Sequence, residues 1–163
     1  MSAFFATSGG IVEGKFLDKY GKRGETDCFG MPLLSPPINI YNRPKDTACY
    51  ALILDDDDAI PVCGYSFVHW LAADILVEDL PEGVSGQGFF VEGTNDYAKS
   101  HGAGDCARYG GMAPPNAPHV YRIHVFALDR LTGLKKGFSL EELRKAMDGH
   151  VLSSCVIEGV YDD

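Results

Sequence analysis

Apolar and polar positions alternate most clearly between His119 and Asp129. His119, Tyr121, Ile123, Val125 and Ala127 fall on one side of a period-two pattern. Val120, Arg122, His124, Phe126 and Leu128 fall on the other, which predicts a β-strand over 119–129. Residues 47–54 are almost wholly apolar and predict a central, little-exposed strand that ends by delivering Asp55, Asp56, Asp57 and Asp58. Residues 65–71 predict the next strand, with Phe67, His69 and Leu71 on one face and Ser66, Val68 and Trp70 on the other. Near the end, Ser139 and Glu142 are spaced as a capping box. They open a short helix with Leu140, Leu143 and Met147 as its apolar stripe and Gly149 at its C-terminal cap. Residues 151–161 predict a last strand, with Gly159 as a bulge.

The remainder is less regular. Ile11-Val12 and Phe16-Leu17 read as short strand pieces punctuated by Gly9, Gly10, Gly14, Gly21 and Gly24. Residues 33–38 read as a strand ending in a rigid turn at Pro36-Pro37. Residues 78–118 read mostly as loop, and so long an irregular stretch is often functional. No repeat or linker interrupts the 163 residues, so one domain over 1–163 is expected. The 19 glycines and 9 prolines fit many turns and several strands rather than a few long helices.

Charge narrows the function. With 14 Lys+Arg against 23 Asp+Glu the net charge is −9, and no basic run occurs. Nucleic acid and anionic lipid surfaces are therefore disfavoured as partners, since both need clustered cations. No apolar run approaches the roughly 20 residues that span a bilayer, and no secretory signal pattern is present. The 5 cysteines, at 28, 49, 63, 106 and 155, include no C-x-x-C pair. They read as free thiols of a reduced, cytoplasmic protein.

The chemistry-bearing residues can converge. His119 and Tyr121 share a strand face; Asp56 and Asp58 share one if the aspartate run stays extended, with Asp55 and Asp57 facing away. With His69 from the neighbouring strand, they make a small polar pocket. His and Tyr donors suit an anion such as phosphate, and a carboxylate orients an imidazole and favours its charged form. Bland readings compete: four aspartates as a solvated turn or calcium loop, though EF-hand spacing is absent, and His69 as a core histidine beside Trp70. His101, His124 and His150 read as structural or solvent-facing. Two His and one Asp can also bind iron or zinc, which would make a metal-dependent hydrolase. No H-x-x-x-H helix or G-x-S-x-G element supports it, and Gly86-Gln-Gly88 lacks the setting of a dinucleotide loop. No cofactor is expected.

In order along the chain, several short elements resemble those of the phosphatidylethanolamine-binding proteins, in their bacterial and archaeal Raf-kinase-inhibitor-like branch. Asp56-Asp57-Asp58-Ala59-Ile60 resembles the family's Asp-Pro-Asp-Ala-Pro element, with Pro61 one place late. His69-Trp70, Asn95-Asp96-Tyr97 and the Tyr109-to-Pro115 turn match further elements. So do His119-Val120-Tyr121, Phe126-Ala127-Leu128-Asp129, Gly149-His150-Val151-Leu152 and Gly159-Val160-Tyr161. The resemblance implies a Greek-key β-sandwich of two antiparallel sheets with a short C-terminal helix. It also implies an anion pocket for phosphate, acetate, or a phosphoethanolamine or nucleotide phosphate group. Carried over by position, that pocket is Asp56, His69, Gly111, His119 and Tyr121, with Asp58 in the same element and the Gly111 backbone closing the site. Departures lie at Asp57 and Ile60, where the family has prolines, and at Val120, where it has arginine. Of the cis peptides such prolines would permit, the first is expected to be missing and Pro61 to restore the second. The expected function is a non-enzymatic binding or regulatory protein. Inhibition of a kinase or protease through surface loops is the alternative, and a homodimer is left open.

Overall fold

The computed structural model describes residues 2–100 and 105–163; His101 lies outside them. The described strands are β1 (Phe5–Thr7), β2 (Ile11–Val12), β3 (Lys15–Phe16), β4 (Ile38–Tyr41), β5 (Cys49–Asp56), β6 (Phe67–Ile75), β7 (Asp79–Leu80), β8 (Val91–Glu92), β9 (His119–Leu128) and β10 (Val151–Tyr161). Helices α1 (Ile60–Cys63) and α2 (Leu140–Met147) accompany them. Two sheets result: a 3-stranded one in the order β1-β4-β7 and a 7-stranded one in the order β2-β3-β10-β9-β5-β6-β8. The long strands β10, β9, β5 and β6 pair antiparallel, and β3 joins β10 in parallel.

β5 is apolar from Cys49 to Leu54 because both of its faces are covered there. Tyr50, Leu52 and Leu54 point into the core between the sheets, with Ile38, Ile40, Trp70, Ile123 and Val125. Ala51 and Ile53 point outward into a second core that Leu143 and Met147 of α2 close. α2 starts as read: Ser139 Oγ accepts from Glu142 N–H at 3.1 Å and Glu142 Oε1 accepts from Ser139 N–H at 3.0 Å. In β9 the alternation holds, with Tyr121, Ile123, Val125 and Ala127 inward and Phe126 and Leu128 outward.

Four expectations are corrected. Pro36 and Pro37 precede β4 rather than end a strand, since neither can donate to a ladder. Gly159 forms no bulge: the register shift in β10 lies between Val151 and Ser153. A Cβ on Gly159 would stand 2.6 Å from the Phe16 ring, so its bare Cα is what lets β3 pack there. In β6, Val68 and Trp70 do not share a face: Val68 lies in the outer core and Trp70 in the inner one. The ladder explains it. Leu54 pairs with Trp70 and Asp55 with Val68, which leaves His69 as the extra residue of a bulge. Lastly, no described peptide bond is cis. Pro61 sits in the first turn of α1, where a missing N–H costs nothing.

Candidate functional site

β5, β6 and β9 end together at one rim of the large sheet, around a cavity of ≈ 200 Å³. Asp56, His69, His119 and Tyr121 line it, with Phe67, Tyr97 and Pro114 among its other walls. The position of each polar group follows from a local feature. Asp56 is the last residue of β5 and points inward by strand alternation. His119 and Tyr121 open β9 on the same face. His69 joins them through the bulge, which sets it on the inner side next to Trp70.

Asp56 and His119 form a buried pair. His119 Nδ1 stands 2.6 Å from Asp56 Oδ2, and the two side chains are 3% and 4% exposed. The other ring nitrogen, Nε2, lies 2.8 Å from Asn116 Oδ1. With Asp56 ionised, the carboxylate at Nδ1 and the amide oxygen at Nε2 are both satisfied by an imidazolium that donates to each. Burial raises the Asp56 pKa, and the hydrogen bond and charge of His119 partly offset that rise. Asp56 Oδ1 is buried and accepts no hydrogen bond. The Tyr121 phenol is raised well above its ordinary value, by burial first and then by the Asp56 charge, so it is a neutral hydroxyl.

His69 plays a different part. Its Nδ1 lies 2.7 Å from the Gly110 carbonyl oxygen. A carbonyl can only accept, so Nδ1 carries the proton. Burial lowers the ring's pKa from 6.5 to about 4, against the smaller opposing pull of the Gly110 carbonyl. At neutral pH the ring is therefore uncharged, and Nε2 is left as an acceptor. The two histidines therefore differ in role, since His69 accepts where protonated His119 donates, and the reading of both as donors is corrected at His69.

Asp58 and Gly111 do not line the cavity. After Asp56 the chain curls into a 3-10 turn over Asp57–Ala59, which ends the alternation that would have put Asp58 beside Asp56. Asp58 Oδ2 instead accepts from the Val120 N–H at 2.9 Å and ties the turn to β9. Asp55 faces outward, 3.0 Å from His124 Nε2, and Asp57 accepts from Ser66 Oγ at 2.6 Å. Both Gly111 backbone groups are already hydrogen-bonded elsewhere, and Gly111 also pulls the His69 pKa upward against the larger lowering by burial. Its N–H donates to Pro32 O at 2.9 Å, and its carbonyl accepts from the Tyr97 hydroxyl at 2.6 Å. A Cβ there would stand 2.3 Å from Tyr20 O, so the position requires glycine for close packing.

Two contributors escaped the sequence reading as site residues, Tyr97 and Asn116. Tyr97 lay within the quoted Asn95-Asp96-Tyr97 element; nothing in the sequence singles out Asn116. His150 pairs with Asp129 at 2.8 Å, away from the cavity. Among the described residues no group of three or more His, Cys, Asp or Glu side chains is arranged to hold a metal ion. The donor set agrees with that: both His119 nitrogens and one His69 nitrogen are already committed.

The profile of the family described as phosphatidylethanolamine-binding protein matches residues 7–162. YxkA of Bacillus subtilis is 38% identical over 151 residues, covering 86% of this chain and 90% of that protein. A UPF0098 protein of Pyrococcus horikoshii is 34% identical over 144 residues, covering 83% and 67%. Among solved structures, a phosphatidylethanolamine-binding-protein homologue from Chlamydia trachomatis superposes with a TM-score of 0.81 at 29% identity, covering 99% of this chain and 98% of that one. YbcL of E. coli superposes with a TM-score of 0.79 at 23% identity, covering 99% of each chain, and shares the fold. Among the described residues no helix is long and apolar enough to cross a membrane.

Proposed function

The chain belongs to the phosphatidylethanolamine-binding protein family, and on that premise we propose that its rim cavity captures one small protonated oxyanion, phosphate or a phosphorylated head group, without catalysing a reaction on it. One observation carries this reading: two imidazoles of opposite hydrogen-bonding sense line one cavity. His119 offers a charged donor at Nε2, held by buried Asp56, and His69 offers an acceptor at Nε2. A hydrogen phosphate has both an anionic oxygen for the first and an O–H for the second. The charge-assisted bond supplies the stronger hold, and the acceptor supplies selectivity, because an unpaired buried acceptor is costly. The Tyr121 hydroxyl, neutral across the physiological range, adds a polar contact. A cavity of ≈ 200 Å³ is below the roughly 300–1,000 Å³ of drug-sized sites, which suits a head group and leaves the rest of a larger ligand outside.

His119→Asn tests the assignment by calorimetric titration with inorganic phosphate. Asparagine keeps an N–H for Asp56 and removes Nε2. Loss of phosphate binding in a folded His119→Asn protein is expected; undiminished binding would move the ligand elsewhere. The five free thiols fit a reducing, cytoplasmic setting.

Inhibition of a kinase or protease through surface loops is the second reading. It is favoured by Ile60 and Val62, 49% and 47% exposed on α1 beside the cavity. Partner capture that Ile60→Ser and Val62→Ser leave unchanged would count against it.

A further inference from the structure

The contact at His119 Nε2 has its own consequence. Asn116 is an exposed residue, yet its carboxamide oxygen reaches in to 2.8 Å from a nitrogen that is otherwise His119's one group free for a ligand. The loop that carries it is stiff and tied at both ends. Pro114, Pro115 and Pro118 fix three φ angles around it. Lys22 Nζ donates to the Pro114 carbonyl at 2.8 Å, and Asp58 holds the Val120 N–H at 2.9 Å. Asn116 is thus delivered to Nε2 by the frame around it.

The geometry points to Asn116 as the residue that sets ligand specificity, an internal stand-in whose neutral amide oxygen fills the position a ligand oxyanion must take. This rests on the reading of the cavity as an anion site and says which ligands it admits. A neutral ligand oxygen, such as that of a polyol or amide, replaces one neutral acceptor by another and leaves Asn116 to find a new partner. A phosphate or carboxylate oxygen replaces the neutral amide oxygen by an anionic one, so the imidazolium N–H gains an ion pair in place of an ion–dipole contact. The exchange therefore favours anions and rejects neutral polar molecules of the same size. Asp56 reinforces it from the other side of the ring: its buried carboxylate, 3% exposed, holds the imidazole at Nδ1 so that Nε2 keeps its donor.

The test is calorimetric titration of the full chain with inorganic phosphate and with glycerol, in wild type, Asn116→Ala, Asn116→Asp and His119→Asn. Removing the stand-in frees Nε2, so Asn116→Ala should bind phosphate roughly 10- to 100-fold tighter, the range of one hydrogen bond to a charged group. It should also begin to accept glycerol. Asn116→Asp, with a tethered carboxylate at Nε2, should lose phosphate binding. Binding by Asn116→Ala where wild type shows none would support the inference just as well. Unchanged or weaker phosphate binding in Asn116→Ala, with binding still abolished by His119→Asn, would overturn the role of Asn116 and leave the anion site standing. No phosphate binding in any variant would overturn both.

Discussion

A buried neutral histidine makes the folded state sensitive to mild acid, and His69 permits the size of the effect to be worked out. In the unfolded chain its ring protonates near 6.5; in the fold, burial lowers that to about 4. Between these values the unfolded chain binds a proton that the native state excludes. The stability contributed by the neutral ring is therefore full above pH 6.5, falls as pH falls, and is gone below about pH 4. At 1.36 kcal/mol per pH unit the total is about 3 kcal/mol, a large share of the roughly 5–15 kcal/mol of a typical domain. Asp56 acts in the opposite direction, because a carboxyl with a raised pKa favours the folded state as it protonates. A comparison within a variant pair removes that contribution. His69→Asn keeps an N–H for the Gly110 carbonyl and cannot titrate. Urea unfolding of both proteins between pH 7 and pH 4 should show wild type losing its advantage over His69→Asn by about 3 kcal/mol. A constant difference across that range would refute the neutral, buried His69 and with it the acceptor in the cavity.

Two further predictions concern neighbouring residues. His119→Ala leaves the Asp56 carboxylate buried without its partner and should destabilise the fold by about 3–5 kcal/mol; His119→Asn, which keeps a donor, should cost clearly less, and equal losses in urea unfolding would argue against the pair. Gly111→Ala forces a Cβ to within 2.3 Å of Tyr20 O and should cost about 1–3 kcal/mol, so an unchanged unfolding midpoint would mean that the turn relaxes freely.

How much was legible in the sequence depended on whether one physical pattern ruled each segment. β9 was readable because its inward face is apolar and its outward face half-wet, so period two survives. β5 was readable as buried because both faces are covered. The capping box of α2 is local chemistry and was found whole. β6 was misread at its most important point: the bulge at His69 is a property of pairing with β5, and no residue marks it. The aspartate run was legible only on the condition that it stay extended; Asp55 does face away, but the chain curls after Asp56 and sends Asp58 to Val120. Gly111 was read as closing the site through its backbone, whose partners, Pro32 and Tyr97, lie far off in sequence. Asn116 was invisible, because nothing local says that a loop carboxamide will meet an imidazole. The ionisation of His69 was unreadable for a similar reason, as it follows from how completely the fold buries the ring.

The opposed senses of His69 and His119 are tested most directly by comparing phosphate with sulfate at pH 7. The anions match in size and shape, but sulfate carries no proton for His69 Nε2 and would leave that acceptor facing an oxygen. Calorimetric titration at equal ionic strength should show phosphate bound and sulfate at least about 10-fold weaker, the result of leaving a buried acceptor unpaired. Equal affinity for the two anions would contradict the donor–acceptor pair on which the proposed function rests.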